Sequence, residues 1–130
     1  MYRWIEHTGE LELRIEVDSE EGVFRDAVSA LGELVGEEAR EATDQRQVAG
    51  EAPDRATLLV EFLTELIFYV ETDGFVPVRL VDLELGRDTV RGTVLGYRGE
   101  PSHLVKAITY HRLRFEQAEG NWQANLVIDV

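Results

Sequence analysis

The chain has 130 residues, 26 acidic against 13 basic side chains, a formal net charge of −13 and no cysteine. That length suits one domain with an adequate core, here residues 1–130, and the missing thiols exclude cysteine nucleophiles, thiolate zinc sites, iron–sulfur ligation and a disulfide scaffold. A field of this sign repels phosphate backbones at long range; it suits a well-solvated surface, a partner with a basic face, or a site that gathers cations.

The opening, Met1 to Glu6, has no charged leader followed by an apolar run, so no signal peptide is expected. Leu11, Leu13, Ile15 and Val17 alternate with Glu10, Glu12, Arg14 and Glu16, the pattern of a half-buried strand. Asp18 or Ser19 then caps a helix over about Glu20 to Val35, in which Val23, Ala27, Ala30, Leu31, Leu34 and Val35 recur at helical spacing. Gly36 to Ala42 reads as a loop and Asp44 to Gly50 as a short strand.

Pro53 and Asp54 introduce a second helix. Its stripe of Leu58, Leu59, Phe62, Leu63, Leu66, Ile67 and Val70 ends near Gly74, suited to a left-handed cap. Glu61, Thr64 and Glu65 interrupt this stretch, so it cannot serve as a membrane span, and a soluble, cytoplasmic protein without a membrane partner is expected. From Phe75 the period changes to two. Turns at Gly86-Arg87-Asp88, Gly99 to Ser102 and Glu119-Gly120-Asn121 divide four strands, about Val76–Leu85, Thr89–Tyr97, Leu104–Gln117 and Trp122–Val130. The expected fold is therefore α+β, in the order β-α-β-α-β-β-β-β, with two helices on one face of a mostly antiparallel or mixed sheet.

Strand alternation singles out three residues. Glu10 lies opposite the apolar set of its strand, Asp129 opposite Trp122, Ala124, Leu126 and Ile128, and Lys106 opposite a covered set read as Val105, Ala107, Leu113 and Phe115. All three are expected on the face the helices leave open. Two carboxylates on neighbouring strands form a hard-oxygen site of the kind calcium, magnesium or manganese takes, and the terminal carboxylate of Val130 would add an oxygen. In so acidic a chain, two acids on one sheet face also arise without function. His7, just before the first strand, suits metal ligation, proton transfer or backbone capping; His103 and His111 are too far apart for close-spaced ligand pairing.

No phosphate-binding Gly-rich loop, nucleophile elbow, metalloprotease or dinucleotide motif is present, and Ser19, Ser29 and Ser102 lack a motif-supported histidine. Independent catalysis is therefore not indicated.

Four segments resemble one family. Glu6-His7-Thr8-Gly9-Glu10 is similar to the E-H-T-A-D opening of archeases, and Leu58 to Tyr69 to their second helix. Lys106-Ala107-Ile108-Thr109-Tyr110-His111 is similar to their K-A-[IV]-T-Y-H segment, and Trp122 to Val130 to their W-x-A-x-[VI]-x-F-D-[IV] ending. The resemblance implies a small metal-binding protein that assists the GTP-dependent 3′-phosphate RNA ligase of tRNA splicing and RNA repair, promoting guanylylation and multiple turnover and meeting RNA only through the ligase. The family's functional acid, lysine and terminal aspartate fall on Glu10, Lys106 and Asp129. Glu10 stands where the family usually has aspartate, Gly96 to Lys106 is a shorter stretch than expected, and Gly36 to Ala49 matches poorly. The other reading is an acidic chaperone-like or scaffold module that docks a basic partner without metal.

Overall fold

The computed structural model describes residues 1–36, 40–102 and 105–130. Its elements are β1 (Tyr2–His7), β2 (Glu10–Val17), α1 (Glu20–Val35), β3 (Asp44–Glu51), α2 (Arg55–Asp73), β4 (Phe75–Leu85), β5 (Thr89–Arg98), β6 (Ala107–Ala118) and β7 (Asn121–Asp129). The α+β class, both helices and the antiparallel pairing agree with expectation. The structure adds β1 ahead of the expected order and divides the strands into two sheets, β1-β2-β7-β6 and β3-β5-β4. Glu37 to Ala39, within the expected loop, and His103 and Leu104 lie outside the described residues.

Both helices start where a side chain replaces a missing intrahelical acceptor. Ser19 Oγ accepts from the Gly22 amide at 3.0 Å, and Asp54 Oδ1 from the Thr57 amide at 2.8 Å; such caps contribute about 1 kcal/mol each. Gly74 ends α2 in the left-handed conformation, φ 64°, which costs a glycine no Cβ clash. α1 packs on β2 and β4, and α2 on β3 and β6, so each helix touches both sheets. Gly32 sets the α1–β4 approach: a Cβ there would lie 2.1 Å from the Pro77 carbonyl oxygen. Phe24 of α1 meets Phe62 of α2 edge-on at 5.8 Å and Phe115 of β6 at 5.9 Å, which joins both helices to the four-stranded sheet. The inner face of that sheet supplies Leu13, Ile15, Ala124, Leu126 and Ile128 to one apolar core; among the described residues its other face carries no helix.

β1 is an edge strand whose Tyr2 and Trp4 pack against the core. The Tyr2 hydroxyl donates to Glu33 Oε2 at 2.6 Å and so ties β1 to α1; burial and that carboxylate push the phenol up to about 12.

Within β6 the expected alternation fails. Five steps along β6, from Thr109 to Arg114, match two along β7, from Val127 to Asn125. The excess of three residues is odd, so it reverses which parity faces the core. Before the bulge Ile108 is buried and pairs with Ile128; after it Phe115 packs on the core opposite Ala124. Ala107, expected on the covered face, is instead exposed and stands beside Asp129 on the open one.

Candidate functional site

Residues directly opposite in a sheet point to the same side with Cβ atoms about 5 Å apart, so the register assembles the open face row by row. One row runs from His7 through Glu10 and Asp129 to Ala107 across β1, β2, β7 and β6. Glu10 and Asp129, nearly the whole chain apart in sequence, are thus cross-strand partners. Lys106 precedes β6 and arrives by another route: its main-chain amide donates to the Asp129 carbonyl at 2.9 Å. Its exposed ammonium has no hydrogen bond or ion pair among the described residues. The ladder bond sets the Lys106 main chain beside Asp129 but not the face of its side chain; alternation carried back from Ala107 would give it the parity of Ile108, not that of Glu10 and Asp129. Val130, exposed, follows Asp129 directly.

The next residue inward on β2 is Glu12, only 3% exposed although it belongs to the outward parity. His7 Nε2 lies 3.0 Å from its Oε1, Arg14 Nε donates to Oε2 at 2.8 Å, and Arg112 Nη2 stands 3.6 Å from Oε1. The Arg14 hydrogen bond above all, then His7 and the charges of Arg14 and Arg112, hold the Glu12 carboxyl below the usual carboxylate range against the opposing effect of burial. Sequence reading missed Glu12 as a site residue. Its only local signal is the opposite charge two positions on, at Arg14; the other two partners come from the hairpin and the bulge.

Arg112 sits in that bulge with φ 54°, a left-handed conformation uncommon for a non-glycine residue. Asn125 Nδ2 donates to the Arg112 carbonyl at 3.0 Å and holds the bulge against β7. The guanidinium turns back over β2, where Nη2 lies 3.1 Å from Glu10 Oε1. A cation already rests on Glu10. His111, also in the bulge, is exposed and uses its amide to bond Thr109 Oγ1 at 3.3 Å, and Tyr110 is 61% exposed.

Among the described residues no three His, Cys, Asp or Glu side chains gather closely enough to hold a metal ion. Glu10 and Asp129 supply two carboxylates, and a third hard donor would be an oxygen of Val130. All-oxygen donors suit calcium, magnesium or manganese better than softer metals. Any such ion would have to share Glu10 with Arg112.

Residues 2–130 match the model of the archease protein family. The chain belongs to the archease family. It is similar to the archease of Pyrococcus abyssi, 34% identical with all of both chains covered, and to that of Methanosarcina mazei, 30% identical over 99% of this chain and 95% of the relative. It is also similar to the solution structure of Methanobacterium thermoautotrophicum protein 1598, with TM-score 0.81, 25% identity and 99% and 98% of the two chains covered. A crystal structure from Thermotoga maritima, described as an archease and possible chaperone, shares the fold at TM-score 0.73 and 22% identity over 100% and 98% of the chains. Among the described residues of this archease-family chain, no helix is long and apolar enough to cross a membrane.

Proposed function

We propose that the chain is a protein cofactor, not itself an enzyme, of the GTP-dependent 3′-phosphate RNA ligase of tRNA splicing and RNA repair. In this reading Glu10, Asp129 and an oxygen of Val130 hold a divalent cation. Once bound, such an ion offers a concentrated positive charge to phosphate oxygens. The observation that supports it most is the cross-strand pairing of Glu10 with Asp129 in a chain of this family. Lys106, fixed by its main chain beside Asp129, is free to direct its ammonium at an anionic group of the ligase's nucleotide. His7 orients the rim by holding Glu12, which keeps Arg14 and Arg112 in place.

The test mixes the purified chain with the ligase, GTP and manganese and counts rounds of ligation. Repeated turnover is expected from the wild type and is lost in Asp129→Ala, Glu10→Ala and Lys106→Ala. A ligase left at a single round in every metal sinks the proposal. If partner binding instead weakens steeply with salt, ignores chelator and survives Asp129→Ala, the acidic scaffold reading takes its place.

A further inference from the structure

A second row on the same open face is basic. Arg3 on β1 stands opposite Arg14 on β2, Arg14 opposite Asn125 on β7, and Asn125 opposite Arg114 on β6. Three of the chain's 13 basic side chains thus fall in one line, in a protein with 26 acids. All four residues line a groove of about 410 Å³.

Like charges directly opposite one another destabilise a sheet. A fold with acids to spare gains nothing structurally by setting Arg3 against Arg14, and the row is only partly neutralised. Arg14 gives its Nε to Glu12 at 2.8 Å, while Arg114 reaches Glu116 only at 3.7 Å. Arg3 has no hydrogen bond or ion pair from its side chain among the described residues. Glu16, also at the groove, is taken by Gln123 Nε2 at 2.7 Å. The Arg14 and Arg114 side chains are 46% and 61% exposed, so their guanidinium groups remain open to a ligand.

We propose that this row is a binding groove for a short chain of phosphates, such as the tail of a nucleoside triphosphate. Guanidinium forks match phosphate oxygens in geometry and charge. With strands about 4.8 Å apart, the row spans about 14 Å from β1 to β6, longer than one phosphate needs and sufficient for several in series. Carboxylates lie beyond it on both sides: Glu16 and Glu116, flanking Gln123, on one, and, past the buried and already paired Glu12, Glu10 and Asp129 on the other. A long nucleic acid would have to cross those carboxylates against the chain's negative field, whereas a short polyphosphate fits along the basic line. The groove does not depend on the cation site proposed above.

The experiment is titration calorimetry of the full chain with free tripolyphosphate and with GTP, in EDTA and at low salt. Both ligands bind. Arg3→Glu combined with Arg114→Glu weakens both by about tenfold or more, with circular dichroism confirming the fold, and Asp129→Ala changes neither. Should the double reversal not fold, Arg3→Gln with Arg114→Gln gives the same direction with a smaller loss. The proposal is overturned by absence of binding in EDTA, by binding indifferent to the arginine changes, or by GTP binding where tripolyphosphate does not. A short single-stranded RNA or an acidic peptide that binds more tightly than tripolyphosphate overturns it as well.

Discussion

The two faces of the β1-β2-β7-β6 sheet are built from the same strands and solve opposite problems. The inner face sets Leu13 against Leu126 and Leu11 against Ile128 beneath the helices, and it is held by the loss of water from apolar surface. On the outer face Glu12 and Asn125 are buried without a helix above them; a hairpin histidine and the β6 bulge cover them, and they are held by charge and hydrogen bonds. Burial thus carries no single meaning along one strand. On the inner side it reports the core; on the outer side the apolar Val127 is buried too, opposite Glu12, but the polar Glu12 and Asn125 stay buried only because partners satisfy them, which is where binding residues are to be sought.

The largest effect comes from the inner face. Leu126 is fully buried, and Leu126→Ala should lower stability by about 2–5 kcal/mol through lost transfer energy and the cavity left behind. The urea midpoint falls while the slope stays near that of the wild type. A loss comparable to that of an outer-face change would dissolve the contrast between the two sides.

Glu12→Gln tests the outer face at smaller cost. His7, Arg14 and Arg112 are all more than a third exposed, so water rehydrates them when the carboxylate goes, and about 1–2 kcal/mol is expected at neutral pH. The pH dependence fixes the cause. Glu12 titrates lower in the folded chain than in the unfolded one, so its contribution is complete above the unfolded glutamate value, about 4.3, and disappears as pH falls through the lower folded value. The stability gap between wild type and Glu12→Gln, measured by urea unfolding, should therefore close on acidification below about pH 4. A gap that persists in acid would show that packing, not charge, is what Glu12 provides.

Much of the inner face was legible in the sequence because its signals are local. Ser19 and Asp54 announce their helices, and α1 spans Glu20 to Val35 as its spacing predicts, since cap and period agree. The outer face was legible only in part. Glu10 and Asp129 could be placed by parity because β2 and β7 pair without interruption. Lys106 could not, because parity carried back through β6 crosses a bulge whose odd excess no local pattern marks. β1 offers six residues at an edge with Ile5 facing outward, too short and mixed an alternation to stand out. The division into two sheets depends on pairing between strands distant in sequence, which hydrophobic period does not encode.

The smallest expected change in stability sharpens the comparison most. Arg112 is held at φ 54°, which costs a non-glycine residue on the order of 1 kcal/mol. Its ion pair with Glu10, between partly exposed groups 3.1 Å apart, and its longer contact with Glu12 at 3.6 Å together return roughly 0–1 kcal/mol. Arg112→Gly relieves the first, forfeits the second and adds about 0.5–1 kcal/mol of chain entropy, so the urea midpoint should hardly move. Calcium or manganese binding should change nonetheless, because the cation that competes for Glu10 is gone; releasing an exposed pair of that strength tightens the metal by up to about fivefold. Titration of wild type and variant separates the possibilities. Equal affinity means that Arg112 swings aside at no cost, while failure of both to bind any divalent ion removes the cation site itself. A tighter variant of unchanged stability means that charge on this face serves ligands rather than the fold.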